Sequence, residues 1–306
     1  MKFIFSYFER MTFMAMKDQT KGLLITFCAV LLVVPDSLFV RLISVDPLAI
    51  AFWRSASSGI LVFLGLLIFG GWKSFRNLFI MGWLGWLYTL IIGSTAPAFV
   101  FAVSKTSVAN VVFILASMPI FSSIFSYIFL KERIHFRTLL TTAFVILGLA
   151  CIAFGSMQSE IASWRGDIWA VYVSVAYAAA LTAIRRLKSF SLIPAIPVGY
   201  IGAALAMSLF TDPFSSFFIN WPFYLGHGLC IALGTCLLAI GPRFISAPEV
   251  ALLILLESVL APLLVWLVIG EDPGRWALFG GFIVLLALLI SNFIAVREAR
   301  CQTVTN

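Results

Sequence analysis

Charge is what this 306-residue chain has least of: Asp, Glu, Lys and Arg together make up 11% of it, against about a quarter in an ordinary soluble domain. A water-soluble globule is therefore excluded. Long polar stretches are missing too, and the longest segment without an apolar run is residues 1–20, which leaves no room for a separate soluble domain. That segment lacks the apolar core and small-residue cleavage site of a secretory signal and reads as a cytoplasmic N-terminal segment. The five cysteines (Cys28, Cys151, Cys230, Cys236, Cys301) show no CxxC spacing and no accompanying His cluster. Neither a disulfide framework nor a metal site is expected from them. No GxxxxGK[ST] sequence occurs, which argues against ATP-driven pumping by this chain alone. No nucleophile-plus-base constellation is legible either, so the chain is not expected to be an enzyme or to carry a cofactor.

What is present is apolar sequence: 62% of the residues, with a mean hydropathy of +1.09. A helix needs about 20 mainly apolar residues to cross the hydrocarbon core. Ten runs meet that need, at 22–43, 47–69, 78–101, 107–130, 136–155, 166–185, 193–211, 222–241, 246–269 and 275–296. They are continuous rather than alternating, so strands of an outer-membrane barrel are excluded. The fold class expected is an all-α integral membrane protein.

The net charge of +7 is accounted for by Lys and Arg flanking the spans, and no nucleic-acid partner is expected. With the N-terminus placed inside, 15 of these bases lie in inner segments and four in outer ones (Arg41, Lys105, Arg165, Arg275), with Arg54 left within a span. By the positive-inside rule both termini are cytoplasmic, in a multi-pass protein of the bacterial inner membrane.

Two stretches, beginning at Ser107 and Ser246, carry one pattern: a small-residue entry, an apolar run, a Glu, a polar hinge and another apolar run. Glu132 and Glu271 fall in register. A weaker match joins "KGLLITFCAV" from Lys21 to "RGDIWAVYVS" from Arg165. The chain thus divides into repeats at 21–155 and 166–297, with a tail at 298–306. Five spans per repeat is an odd number, so the second copy enters the membrane from the opposite side. Inverted repeats of this kind recur in secondary transporters, whose two halves exchange conformations around a central site.

Three pieces of sequence resemble a known family: "FWR" ending at Arg54, "TSVANVVFILASMPIFSSIFSYIFLKERI", and "LLILLESVLAPLLVWLVIGEDP". They are similar to the ten-helix EamA-type members of the drug/metabolite transporter superfamily, over essentially all of Lys21 to Arg297. The resemblance implies two inverted five-helix bundles and a proton-coupled or gradient-driven carrier, often an exporter of amino acids, metabolites or drugs. The sequence departs from that pattern in the ninth span, where Ser258 rather than Pro follows Glu257 and Pro262 comes four residues later.

Ionisable residues inside spans are costly and usually face the bundle interior. Asp36 and Arg54 fall at matching depth, roughly 10–14 Å below the outer surface by helical rise. They read either as a structural ion pair or as a site in which Arg54 offers its planar fork to a substrate carboxylate and Asp36 competes for it or takes a proton. Glu257 sits near mid-span, where a permanent carboxylate is least tolerable, and reads as a proton carrier or as a protonated side chain bonded to a neighbouring helix. His227, early in the eighth span, reads as a proton relay or as a hydrogen-bonded interface residue. Glu249 reads as a solvated group near a span end, and Glu132 and Glu271 as helix caps or hinge salt bridges. Pro35, Pro97, Pro119 and Pro262 lie within spans, where each removes a backbone donor. Trp53, Trp83, Trp86, Tyr88, Tyr172 and Tyr177 are aromatic candidates for a cavity lining, with interfacial belts and packing as the alternative.

The partners expected are a small-molecule substrate and the lipid bilayer, with a homodimer left open. A membrane-embedded enzyme acting on lipid-linked substrates, with Asp36, Glu257 and His227 as acid/base groups, is the rival reading. A receptor or scaffold leaves the buried charges unexplained.

Overall fold

The computed structural model describes residues 18–131, 136–158, 163–187, 191–241, 244 and 247–304. Among these residues there is no strand, and helices account for nearly everything. They run α1 (Asp18–Val33), α2 (Asp36–Leu42), α3 (Pro47–Gly70), a 3₁₀ turn (Trp72–Phe75), α4 (Arg76–Ile80), α5 (Gly82–Lys105), α6 (Val108–Leu115) and α7 (Met118–Leu130). The remainder are α8 (Phe136–Gln158), α9 (Trp164–Arg186), α10 (Ala195–Met207), α11 (Phe217–Ile240), α12 (Ala247–Ile269) and α13 (Arg275–Val304). Six helical stretches are long and apolar enough to cross a membrane: Thr20–Leu42, Pro47–Gly70, Gly82–Lys105, Val108–Phe129, Trp164–Ala183 and Phe217–Ile240. Four shorter apolar helices lie at Leu140–Gly155, Ala195–Met207, Leu256–Ile269 and Arg275–Ser291.

The helices are built the reverse of soluble ones. On α3 eight of the eleven buried residues are small or polar (Ala49, Ala51, Arg54, Ser55, Ala56, Ser57, Ser58 and Gly59, beside Ile50, Phe52 and Val62), while Ile60, Leu64 and Ile68, spaced one turn apart, are exposed. Small and polar residues dominate the face toward the neighbouring helices, as expected where the surroundings are lipid and close packing rather than water exclusion holds helices together. Phe218, Leu90, Leu267 and Phe293 are likewise exposed, a pattern that belongs against hydrocarbon chains.

Two compact units form, and neither is a continuous half of the chain. One comprises residues up to Val100 together with Ala183–Ile245; the other comprises Phe101–Thr182 and Ser246 onward. In the first unit α3 packs on α10 and α11, and α11 also packs on α1 and α2. In the second, α8 packs on α13, and α12 packs on α6 and α13. The second unit's core is the apolar set Ala116, Ile120, Val145, Val284 and Leu288.

Each unit contains a helix broken at a proline. In the first, α1 stops at Val33 and α2 begins at Asp36, with Pro35 at the break. In the second, α6 ends at Leu115 and α7 begins at Met118, with Pro119 in its first turn. A proline withholds an N–H from the carbonyl one turn back, and at the second break hydroxyls serve carbonyls of the interrupted turn: Ser117 Oγ donates to Ile114 O at 2.6 Å and Ser258 Oγ to Val112 O at 3.3 Å. Pro97 and Pro262, by contrast, sit inside continuous helices. Of the four prolines the sequence singles out, two mark interruptions.

Glycine sets the closest crossing of the first unit. A Cβ on Gly93 would stand 2.6 Å from the carbonyl oxygen of Gly199, and one on Gly199 would stand 2.5 Å from that of Thr89. Both obstacles are backbone, which cannot rotate away. Gly93→Ala and Gly199→Ala are each expected to destabilise the detergent-solubilised protein by about 1–3 kcal/mol, the range for overpacking a tight site. Gly65→Ala, where a Cβ meets open space, should be neutral or stabilising; thermal unfolding midpoints of the three variants provide the comparison.

Candidate functional site

The helix break at Pro35 places Asp36 in the first turn of α2 with its side chain buried. Arg54 comes from the inner face of α3 and is 2% exposed. Its Nε donates to Asp36 Oδ1 at 2.9 Å and its Nη2 to Oδ2 at 2.6 Å. This is the two-pronged match of a planar guanidinium to a carboxylate, the strongest form of side-chain ion pair. A third group arrives from α11: His227 Nε2 lies 2.5 Å from Asp36 Oδ1, and the ring is fully enclosed. With the carboxylate ionised against the guanidinium, this contact requires the proton on Nε2, so the imidazole donates. Its other nitrogen, Nδ1, is buried without a hydrogen-bond partner among the described residues.

Two aromatic rings fix the geometry. Phe39, one turn beyond Asp36, stacks on His227 with centroids 5.3 Å apart and planes 17° from parallel. Arg54 Cζ lies 5.4 Å from the centre of the Phe99 ring, a cation–π contact that gains strength away from water. The first unit thus gathers Asp36, Arg54 and His227, three of the four residues singled out in the sequence, on three separate helices. Glu257 belongs to the other unit, half-buried on α12.

Around the triad hydroxyls cap backbone carbonyls of α3. Ser58 Oγ donates to Arg54 O at 2.5 Å, and Ser57 Oγ bonds to Trp53 O and, at 3.2 Å, to Tyr224 O of α11. A Cβ on Gly228 would meet Ser58 N at 3.0 Å and the Ser57 side chain closer still. The absence of a side chain at 228 is what lets α11 bring His227 to the carboxylate.

The remaining sequence candidates distribute as follows. Glu271 accepts from the Val108 N–H at 2.8 Å with its Oε1, which makes it a cap on the N-terminus of α6. Glu132 and the side chain of Glu249 lie outside the described residues. Trp83, Trp86 and Tyr172 are exposed, whereas Tyr88 is buried.

Sequence reasoning missed a second buried carboxylate. Asp167, in the first turn of α9, accepts from Thr106 Oγ1 at 2.8 Å and from Asn110 Nδ2 at 3.4 Å, while Asn110 also reaches Thr106 Oγ1 at 3.2 Å. All three are buried. In the sequence Asp167 sits among polar residues at a span end and looks solvated. The available signal was Asn110, a carboxamide inside an otherwise apolar run.

A bundle of apolar helices whose exposed surface is hydrocarbon-like, with the charges Asp36 and Arg54 buried inside it, defines an integral membrane protein. The sequence model of the EamA-like transporter family matches residues 20–154 and again 164–293, and the chain belongs to that family, which it spans as two repeats. It is 27% identical over 224 residues to the uncharacterized transporter YdfC of Bacillus subtilis, an alignment covering 70% of each chain. It is 25% identical over 223 residues to the uncharacterized transporter sll1164 of Synechocystis sp., covering 67% of this chain and 64% of that one. A solved crystal structure superposes over 91% of this chain and 99% of its own with a TM-score of 0.64 at 17% identity, a likeness in fold.

Removing one partner of a buried ion pair strands the other, at a cost of about 3–5 kcal/mol, whereas replacing both with apolar groups of similar size is often tolerated. Asp36→Ala is therefore expected to lower unfolding stability in detergent by that amount. The double substitution Asp36→Leu with Arg54→Met should recover most of the loss. Simple additivity of the two single losses would show that the pair does not act as a unit.

Proposed function

We propose that the protein is a secondary-active transporter of a small metabolite, working by alternating access, with Asp36, Arg54 and His227 as its ligand- and proton-handling centre. The observation that carries this reading is the triad itself: an ion pair plus an imidazole, enclosed at a helix break, in a chain of a transporter family. Breaks in membrane helices recur where transporters hold their substrates. Intramembrane charges of this kind most often serve such pathways.

The exchange works through competition for one fork. Arg54 holds Asp36 bidentately in the closed arrangement. A substrate carboxylate, or protonation of Asp36, frees the guanidinium to bind substrate; His227 takes a proton at Nδ1 and passes its Nε2 proton to Asp36, ending as the Nδ1–H tautomer, and the reverse sequence returns it. Glu257 supplies a second proton-handling carboxyl in the other unit. Export is the preferred direction, by resemblance to the family.

The same reading arranges the chain as ten spans in two inverted five-helix repeats, with both termini cytoplasmic in the bacterial inner membrane. The packing supports such a relation. A two-fold axis pairing spans one to five with six to ten exchanges a contact between the second and eighth spans for one between the seventh and third. α3 packs on α11, and α5 meets α10 at Gly93 and Gly199. The contacts α3–α10, α6–α12 and α8–α13 each map onto themselves under the same operation.

Purified protein in a thermal-shift screen of small metabolites, followed by counterflow of the hits in proteoliposomes, tests this function. Asp36→Asn and Arg54→Lys are each expected to slow counterflow by about tenfold or more, as loss of one charged hydrogen bond implies. Glu257→Gln should abolish the dependence on an imposed pH gradient while retaining the thermal shift. Unchanged counterflow in the first two variants would refute the triad's role, and unchanged gradient dependence in the third would refute that of Glu257.

A further inference from the structure

A cavity of about 660 Å³ opens in the first unit between the 42–46 connection and the 211–220 segment, with Leu42, Asp46, Thr211, Ser215, Ser216 and Asn220 among its walls. Along the helices it lies on the loop side of the triad. Asn220 precedes His227 by seven residues, Ala49 precedes Arg54 by five and Leu42 follows Asp36 by six, which at helical rise is roughly 8–10 Å. Both α3 and α11 begin at this end, and side chains on a helix lean toward its N-terminus, so Trp53 and Tyr224 project from the level of the triad toward the cavity.

At the same end of α3 and α11 a cluster of rings forms. Trp53 stacks on Tyr224 at 5.4 Å and 24°, packs on Phe217 at 4.6 Å, and meets Phe214 edge-on at 5.5 Å. Tyr224 is 1% exposed and stands one turn before the enclosed His227 on α11. Hydrogen bonds tie the layer and the cavity wall to one short turn. Trp53 Nε1 donates to Pro213 O at 2.7 Å, Ser216 Oγ and Tyr224 OH are 2.9 Å apart, and Thr211 Oγ1 donates to Asp46 Oδ2 at 3.1 Å. The turn is preformed around Asp212, whose Oδ1 accepts from the Phe214 N–H and whose carbonyl accepts from Ser215 Oγ. Its own apolar residues add little hold, since Phe210 and Phe214 are largely exposed.

We propose that the 211–216 turn is a gate strap. Held by Trp53, Tyr224 and Asp46, it keeps the aromatic layer shut over the triad. Releasing the two ties to the rings joins the 660 Å³ cavity to Asp36, Arg54 and His227, so that a ligand or proton passes between them. The strap's use in transport rests on the function proposed above, but its closure can be read without any substrate.

The probe is diethyl pyrocarbonate, which acylates an accessible unprotonated imidazole nitrogen, applied to the full-length protein in detergent, with modification of His227 followed by peptide mass spectrometry. In the natural sequence His227 should react slowly. The double variant Trp53→Phe with Tyr224→Phe keeps an aromatic ring at each position, a smaller phenyl replacing the indole at 53, and removes both ties. It is expected to react about tenfold faster, the shift in an opening equilibrium that two ordinary hydrogen bonds would hold back. Thr211→Val, which cuts the tie at the exposed end, should accelerate the reaction as well, by a smaller factor. Thr235→Ala removes a hydroxyl bonded within α11, beyond His227 on the side away from the strap, and should leave the rate unchanged. Equal rates in the double variant and the natural sequence would overturn the proposal, as would an equal acceleration by Thr235→Ala. Tie-dependent labelling in a protein that fails every counterflow assay would count against the transport reading and leave the strap standing. Tie-independent labelling with normal counterflow would remove the strap alone.

Discussion

The neutralisation of Asp36 by Arg54 is the constraint around which the first unit is arranged. Neither charge is tolerable alone in an apolar bundle, so the fold must deliver a guanidinium to a carboxylate from a different helix with both prongs aligned. The break at Pro35 sets the start of α2 and with it the position of Asp36. The small residues of α3 keep that helix close enough for the fork to reach, and Gly228 lets α11 approach so that His227 supplies the third contact. Each of these features is a local departure from an ideal apolar helix, and each is explained by the pair it serves.

The second unit solves a related problem with weaker means. Asp167 has neutral hydrogen-bond donors in Thr106 and Asn110, and its place in the first turn of α9 adds the favourable field of the helix N-terminus. Glu271 uses the same field at α6. The two units therefore stabilise buried or half-buried carboxylates by different routes: an ion pair in one, helix ends and amides in the other. Among the described residues the first concentrates groups of opposite charge and a titratable ring in one place, which is why it is the better candidate for moving a ligand.

Much of this was legible in the sequence, and the reasons differ by residue. The membrane class follows from composition, and the apolar runs foretell helices because their lengths match a bilayer. The matching depths of Asp36 and Arg54 could be read from simple helical rise, since both lie on consecutive spans joined by a short connection. His227 could not be linked to them, because it is 191 positions from Asp36 along the chain and no local pattern specifies which helix its own will pack against. The division into compact units was equally invisible: repeats are a property of sequence, while units are decided by which small-residue faces meet. Asp167 escaped notice because residues at a span end look solvated whether or not another segment covers them. The prolines illustrate the same limit, since identical chemistry interrupts the helix at Pro35 and Pro119 and is absorbed at Pro97 and Pro262.

The interleaving of the two units also bears on how the protein is made. Domains tend to form in the order in which they leave the ribosome, but the first unit consists of residues up to Val100 and Ala183–Ile245. Its opening helices must therefore wait in the bilayer while the intervening segment is synthesised. During that interval Asp36 and Arg54 are already both present, whereas His227 and the Gly199 crossing are not. The ion pair needs only the helices on either side of the 43–46 connection, so it is the one part of the site whose partners are all present before the rest of its unit is made.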